Sequence, residues 1–584
     1  MGVPWYFKKI FDTYPNVIRN TVTESTVGKQ FRLFLDFNGI IHHCVHIIDA
    51  NVYNNNNSFE DALLKQIWLY TQMCAKYVGN NQGSIGGARQ SPLSTVFIGI
   101  DGMAPMAKIV QQRKRRFLSL WEKNMVLEET AKVQKRNRQN NVGGVVTGQD
   151  AFSWDTNAIT PGTPFMSKLA TYLLNQIQNN NDETHYVLSS SDFIGEGEHK
   201  IMSFIRDHPG NYVDIIYGLD ADLISLALIE HIESNHEIWL LRESQKIKDN
   251  VHNDSSFPMF LFVDIAGLAE SIHQDLHTYY KWSSSNTDKK QNIFDYIVLC
   301  FTLGNDFIPG LSYLKIKDGG LEKLLRTKST IKSAVLDMSR DKYSVCYKTY
   351  MCVLESIKHQ EQESLVAQHN KYVGDISTKW RGIQNYVHTL PQQQGNKFPN
   401  ASKMLLHEAG WRKRYYYYLF NDPESYTMMQ GCKEYTSAIN WCTNYYFNKV
   451  YDDKYFYPYM YSPTITDLFQ HLVYLCNGGG NGAGNDNISN MRKISWNHLG
   501  DSRETIMKLV SILPPQSISN IIPSYETIFT DIKLGCVHYY PNNFSIITYL
   551  KSFTWECHPI IPHVDIEKVK IACEYIASKI NMEK

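Results

Sequence analysis

Five short apolar runs in this 584-residue chain end on, or just ahead of, acidic residues, and no other feature constrains its fold as strongly. Leu33-Phe34-Leu35 runs into Asp36, Val96–Ile100 into Asp101, and Ile215–Leu219 into Asp220 and Asp222. Tyr186–Ser191 precedes Gly195-Glu196-Gly197-Glu198, and Ile297–Asn305 runs into Asp306. Short continuous apolar runs between helical patterns read as strands of a buried parallel sheet. The expected fold is therefore α/β: a doubly wound, mostly parallel sheet with helices over residues 30–315, with a mainly helical C-terminal region packed against it. In such a sheet the site lies outside the carboxyl ends of the strands, so acids recurring there converge.

One Asp after a strand is ordinarily an N-cap or a turn residue. Five coincident cases, two of them paired at i and i+2 (Glu196/Glu198 and Asp220/Asp222), do not fit that explanation. An extended pair shares one face, and a pair that opens a helix shares its first turn. Converging carboxylates cannot all stay ionised without cations between them. Hard oxygen ligands suit Mg²⁺, with Mn²⁺ as a substitute. The candidate catalytic and metal-ligating residues are Asp36, Asp101, Glu196, Glu198, Asp220, Asp222 and Asp306.

The net charge is zero, with 58 basic and 58 acidic residues, so overall charge says nothing about nucleic acid. Local charge does: Lys108 to Arg138 holds ten Lys/Arg against three Glu. After the turn at Asp101, Pro105 suits the first position of a helix. Lys108, Gln112 and Arg115 then recur on one face with Arg116 beside them. Beside a carboxylate–metal centre, such a face suits a terminal phosphate, since Arg offers a fork and Lys a point charge.

The eleven cysteines form no CxxC pair and no zinc-finger spacing, which predicts a reducing compartment without structural zinc. No apolar stretch approaches the roughly 18 residues of a membrane span and no charged-then-apolar leader is seen, so a soluble, unsecreted protein is expected. Tyr6 stands where a myristoylation signal needs Ser or Thr. Residues 50–58, 80–92 and 139–150 are expected loops, and the glycine run over 477–488 is expected to be flexible. That run lacks a P-loop's Gly-Lys-Ser/Thr ending. Residues 320–410 read as mostly helical and polar.

Several of these stretches together resemble the XRN family of 5′→3′ exoribonucleases. They include Met1-Gly-Val-Pro-Trp-Tyr-Phe7, Leu35-Asp-Phe-Asn-Gly-Ile-Ile-His42, Ile100-Asp-Gly-Met-Ala-Pro105 running on to Phe117, and Asn157–Met166. Gly195-Glu-Gly-Glu-His-Lys200, Tyr217-Gly-Leu-Asp-Ala-Asp222 and Gly304-Asn-Asp-Phe-Ile-Pro309 continue it. A second family region is similar around Tyr457–Pro463 with Asp467, Leu513–Ser517, and Trp555 with Ile560–Pro562. The resemblance implies a PIN/flap-nuclease-like sheet and a processive exonuclease acting on single-stranded RNA with a 5′-monophosphate. It implies divalent metal at the seven acids and a 5′-phosphate pocket at Lys108, Gln112, Arg115 and Arg116. His42 matches the residue that stacks on the terminal base. The family's Trp-x-Trp-Tyr-Tyr-Pro stretch reads Asp453-Lys-Tyr-Phe-Tyr-Pro458 here, so Tyr455 is the expected stacking substitute. Met106 stands where the family often has Arg.

The implied organisation is a catalytic domain over 1–325, a helical connecting segment over 326–409 and a second conserved region over 410–584 that completes the pocket. Residues 243–262 hold no Cys of the nuclear branch's zinc knuckle, so a short member of the cytoplasmic type is expected, a viral version being one candidate. The expected mechanism is two-Mg²⁺ hydrolysis by a monomer in mRNA turnover, with Asp220, Asp222 and Glu198 nearest the ions and His199 structural. Competing readings are a flap-type DNA nuclease, for which no helix-hairpin-helix is seen, and an inactive RNA-binding scaffold, which the full set of acids argues against.

Overall fold

Four of the five apolar runs are strands, and their side chains divide alternately between the two faces of one sheet. The computed structural model describes residues 3–22, 29–80, 93–139, 153–181, 183–243, 260–282, 289–338, 343–378, 404–420, 425–478, 491–551 and 554–582. The first elements are α1 (Tyr6–Thr13), β1 (Ile18–Arg19), β2 (Gln30–Asp36), α2 (Phe37–Ile47), α3 (Asn56–Asn80), β3 (Thr95–Gly99) and α4 (Met106–Gln139). Then come α5 (Pro164–Gln178), β4 (His185–Ser189), α6 (Gly197–Asp207), β5 (Tyr212–Tyr217), α7 (Asp222–Ser234), β6 (Glu237–Glu243), β7 (Phe260–Asp264), α8 (Ile265–Thr278) and α9 (Lys289–Phe301).

The sheet order is β1-β7-β6-β5-β2-β3-β4. β2 to β6 are parallel, β7 runs antiparallel to β6, and β1 antiparallel to β7. The chain winds from β2 out to β4 and returns to β5 on the other side of β2, so the β2/β5 junction is the switch point where such sheets bind ligands. The register levels the strand ends there: Asp36 lies opposite Gly99, Gly99 opposite Ser189, and Leu35 opposite Tyr217. Phe34, Phe97 and Ile216 face one apolar layer with α6, α7, α8 and α9. Leu33, Leu35, Val96, Ile98, Ile215 and Tyr217 face the other, with α2, α3 and α5.

The Ile297–Asp306 run is not a strand. Ile297–Phe301 closes α9, whose residues from Asn292 to Phe301 are all buried. A helix buried all round loses its 3.6-residue periodicity, and a short stretch of it reads like a buried strand. Asp306 follows through a turn at Gly304 with φ +92, where a Cβ would lie 2.5 Å from the Gly310 nitrogen. The loop expected over 50–58 is also shorter, because α3 starts at Asn56. The stretches expected as loops at 80–92, 139–150 and 477–488, and the 243–262 segment, lie almost wholly outside the described residues.

Beyond α9 the described chain is mainly helical, with paired strands of two residues only. Sheet and helical region share one apolar cluster that reaches from Val3 to Tyr549. Glu361, 1 % exposed, ties the turn after α9 to the later helical chain. It accepts the Ser312 hydroxyl at 2.9 Å and the Ile465 and Thr466 backbone N–H groups at 2.5 and 3.0 Å. Among the described residues no helix is long and apolar enough to cross a membrane.

Across the switch point, Arg32 on β2 faces Asp214 on β5 with paired hydrogen bonds of 2.6 and 2.8 Å, both side chains buried. Removing one partner of such a pair strands a buried charge. Asp214→Ala is therefore expected to lower unfolding stability by about 3–5 kcal/mol. Urea denaturation followed by tryptophan fluorescence checks this, and an unchanged midpoint would refute it.

Candidate active site

Helix starts and strand ends deliver six of the seven acids to the sheet's carboxyl edge. Asp36 ends β2, and Asp101 follows β3 by two residues. Glu196 and Glu198 sit at the N-cap and first turn of α6, Asp220 ahead of α7, and Asp222 at its first residue. Negative charge at a helix N-terminus faces unsatisfied N–H groups and the positive end of the helix dipole. Asp101 accepts the Gly197 N–H at 2.7 Å, and its own N–H reaches Asn38 Oδ1 at 3.1 Å. Gly197 has to be glycine: a Cβ would stand 2.6 Å from the Gly99 carbonyl oxygen and 3.1 Å from Asp36 Oδ1.

These acids repel one another in a dry place. Burial, then Asp101, Asp220 and Asp222, raise Asp36 well above the carboxylate range. Burial, then Asp222 and Glu196, do the same to Glu198, and burial pushes Asp222 up to about 6. Among the described residues, Lys108 sits inside the group and bridges Glu196, in a short contact, and Asp306 at 3.2 Å. Among the described residues no three His, Cys, Asp or Glu side chains are already arranged around one ion. Even so, Glu198 Oε2 and Asp222 Oδ1 are buried without a hydrogen-bond partner. Buried unpartnered carboxylate oxygens among other carboxylates fit a hard divalent cation.

Four supporting side chains carry no signal in the sequence. Tyr445 and Tyr446, at the end of the helix Ser425–Tyr446, donate to Glu196 in a short contact and to Asp222 at 3.3 Å. Trp441, one turn earlier, stacks on Tyr445 with centroids 5.0 Å apart. Arg242 on β6 donates to the carbonyls of Leu219 and, at 3.1 Å, of Asp220, and lies 4.0 Å over the Phe7 ring. His199 is buried 4.3 Å from the Tyr445 ring, and burial pushes its imidazole down to about 3, in keeping with a structural role.

On α4 the predicted phosphate set divides. Lys108 is engaged with the carboxylates, while Gln112 is half-buried and Arg115 exposed. Arg116 donates to the Ile159 carbonyl at 3.2 Å and the Thr160 hydroxyl at 3.1 Å. His42, on α2, lies near both arginines: burial, then Arg116 and Arg115, push its imidazole down to about 4. The ring is thus neutral and flat at neutral pH, beside two guanidinium groups. Tyr455 is not brought into ring contact with His42. Its hydroxyl donates to the Glu434 carbonyl at 2.7 Å, and its ring leans on Trp441 at 6.2 Å.

Comparison with known proteins accounts for most of the chain. The model described as the XRN 5′-3′ exonuclease N-terminus matches residues 1–245, and that described as the Xrn1 helical domain matches residues 286–366 and 327–584. Human 5′-3′ exoribonuclease 1 is 27 % identical over 98 % of this chain and 34 % of its own length. The 5′-3′ exoribonuclease 2 of Yarrowia lipolytica is 24 % identical over 97 % of this chain and 68 % of its own. That of Gallus gallus is 24 % identical over 100 % and 71 %. The chain thus spans about a third of the human relative's length.

Proposed function

This chain belongs to the XRN 5′-3′ exonuclease family, and on that premise we propose that it is a processive 5′→3′ exoribonuclease that hydrolyses single-stranded RNA bearing a 5′-monophosphate to mononucleotides. The observation that carries the reading is the group of buried carboxylates at the switch point, with two oxygens left without partners and a basic helix alongside. Divalent cations, Mg²⁺ or Mn²⁺, would be held by Glu198, Asp222 and Asp36, with Asp101, Glu196, Asp220 and Asp306 around them. When bound they would lower the pKa of water and neutralise charge on the phosphodiester and its leaving oxygen.

The remaining work belongs to the chain itself. Arg115 and Arg116 offer guanidinium forks to a terminal phosphate, and the neutral His42 ring offers a stacking face to the first base. Tyr445 and Tyr446 fix the rotamers of Glu196 and Asp222, and Arg242 fixes the backbone ahead of Asp220. The eleven cysteines form no disulfide among themselves, which supports a reducing, cytoplasmic setting, and a role in mRNA turnover goes with the proposed activity.

Direction and processivity are tested together. RNA labelled at its 5′ end should release the label as mononucleotide, and the same RNA labelled at its 3′ end should show only full-length RNA and end products. A ladder of intermediates would contradict processivity, and internal fragments would contradict an exonuclease. Arg115→Ala should lose most of the preference for 5′-phosphate over 5′-hydroxyl ends, about tenfold or more, since a charge-assisted contact of roughly 1.5–3 kcal/mol is removed. An unchanged ratio would refute the pocket. Tyr445→Phe should raise the Mg²⁺ concentration needed for half-maximal rate by about 10–100-fold. Equal Mg²⁺ titrations of variant and wild type would show that the tyrosine does not position Glu196.

A further inference from the structure

Helix α4 has a second face that the reaction above does not use. Ala107, Val110, Gln111, Lys114 and Leu118 recur at helical spacing and line a cavity of about 260 Å³. Its other walls come from residues 303–310, 314–317 and 459–462 and from Leu550, Lys551 and 555–558. Asp306 and Arg115 stand where it meets the carboxylate centre, and Lys114, Lys315, Lys551 and His558 line it further on.

Two of these lysines differ from the other deep lysines of the molecule. Lys200 is held by the Ile100 and Ser190 carbonyls, Lys508 by the Ala104 carbonyl and Asp453, and Lys328 by Asp295. Lys315 donates to the Leu550 carbonyl at 3.0 Å. Among the described residues the Lys114 and Lys551 ammonium groups have no such oxygen partner, and Lys551 rests 5.3 Å from the Tyr461 ring. Burial, then Lys551, pushes Lys114 down to about 8, and burial lowers Lys551 against the pull of Glu556. Burial, then both lysines, holds His558 well below its usual value. Lys114, Lys315 and Lys551 outnumber Glu556, the carboxylate beside them; such a surplus of ammonium groups around a cavity suits an anion, and the walls add flat rings at Phe456 and Trp555.

We propose that this cavity is a second phosphate-monoester site, distinct from the 5′-end pocket, in which Lys114 and Lys551 hold the phosphate of a nucleoside 5′-monophosphate. Assigning the nucleotide as the released product rests on the nuclease reading; the anion site itself does not. A mononucleotide leaving the centre past Asp306 and Arg115 would then meet fixed positive charge before reaching solvent.

The test needs no catalysis. The full chain, metal-free and at constant ionic strength, is titrated calorimetrically with AMP and with inorganic phosphate, alongside a Lys114→Gln/Lys551→Gln double variant and an Arg116→Gln variant. The double variant should bind both anions at least about tenfold more weakly than the Arg116→Gln variant does at this site. Phosphate should also raise the apparent melting temperature of wild type more than that of the double variant. Without anion the double variant should melt no lower than wild type, because two repelling half-buried charges are gone. Tighter AMP than phosphate assigns the site to the nucleotide, and equal affinity assigns it to free phosphate. Unchanged binding and unchanged phosphate stabilisation in the double variant overturn the proposal. Anion binding by a chain that degrades no RNA would leave this site standing and remove the nuclease reading instead.

Discussion

Asp222→Ala is expected to cut RNA degradation by about 10³-fold while leaving the fold intact. Asp222 opens α7 with one oxygen on Tyr446 and the other buried without a partner, and it repels Glu198 and Asp36. Its removal takes away a ligand, so the rate falls. It also takes away like-charge repulsion, at the loss of a favourable helix-dipole contact of roughly 0.3–1 kcal/mol. The two stability changes oppose each other, and metal-free variant and wild type should unfold within about 1 kcal/mol of one another. Single-turnover rates on 5′-monophosphate RNA and urea unfolding of the same preparation decide the matter. Near wild-type rates would show that the acids are not the centre. A badly destabilised variant would show that Asp222 serves folding.

Lys108→Met is expected to have the opposite signature. Lys108 is 7 % exposed and bridges Glu196 and Asp306, so its loss leaves two buried carboxylates without their counter-charge. Breaking a buried pair from one side costs about 3–5 kcal/mol, and the metal-free variant should unfold that much more easily. Mg²⁺ should narrow the gap, because it supplies charge at the same acids and stabilises whichever state binds it. Thermal unfolding of both proteins with EDTA and with Mg²⁺ measures this. Equal melting in EDTA would show that the bridge carries no weight, and a gap untouched by Mg²⁺ would place the ions elsewhere.

The sheet and most of its acids were legible because strand runs have a local signature: apolar, short and closed by an acid, as at Asp36, Asp101 and Asp220. Asp306 comes to stand beside Lys108, but the premise that a strand leads to it fails, since Ile297–Phe301 is a fully buried helix and carries no periodicity to betray it. Lys108 was read with the arginines from helical spacing alone, but spacing does not say which neighbour claims an ammonium group, and Glu196 and Asp306 do. Tyr445, Tyr446 and Arg242 were invisible because their partners lie 22 to 249 residues away in sequence, within a tyrosine-rich chain and a strand interior. The unpaired face of α4 is visible only once the C-terminal region closes over it.

These acids and the basic helix beside them are proposed to make a metal-dependent nuclease that selects the 5′ end. One RNA, prepared with a 5′-monophosphate, a 5′-hydroxyl and a cap, is incubated with the protein in Mg²⁺ and in EDTA. The account predicts rapid loss of the monophosphate form alone, in Mg²⁺ alone, with mononucleotides as product. Persistence of all three forms in Mg²⁺, or equal loss of all three, would contradict it.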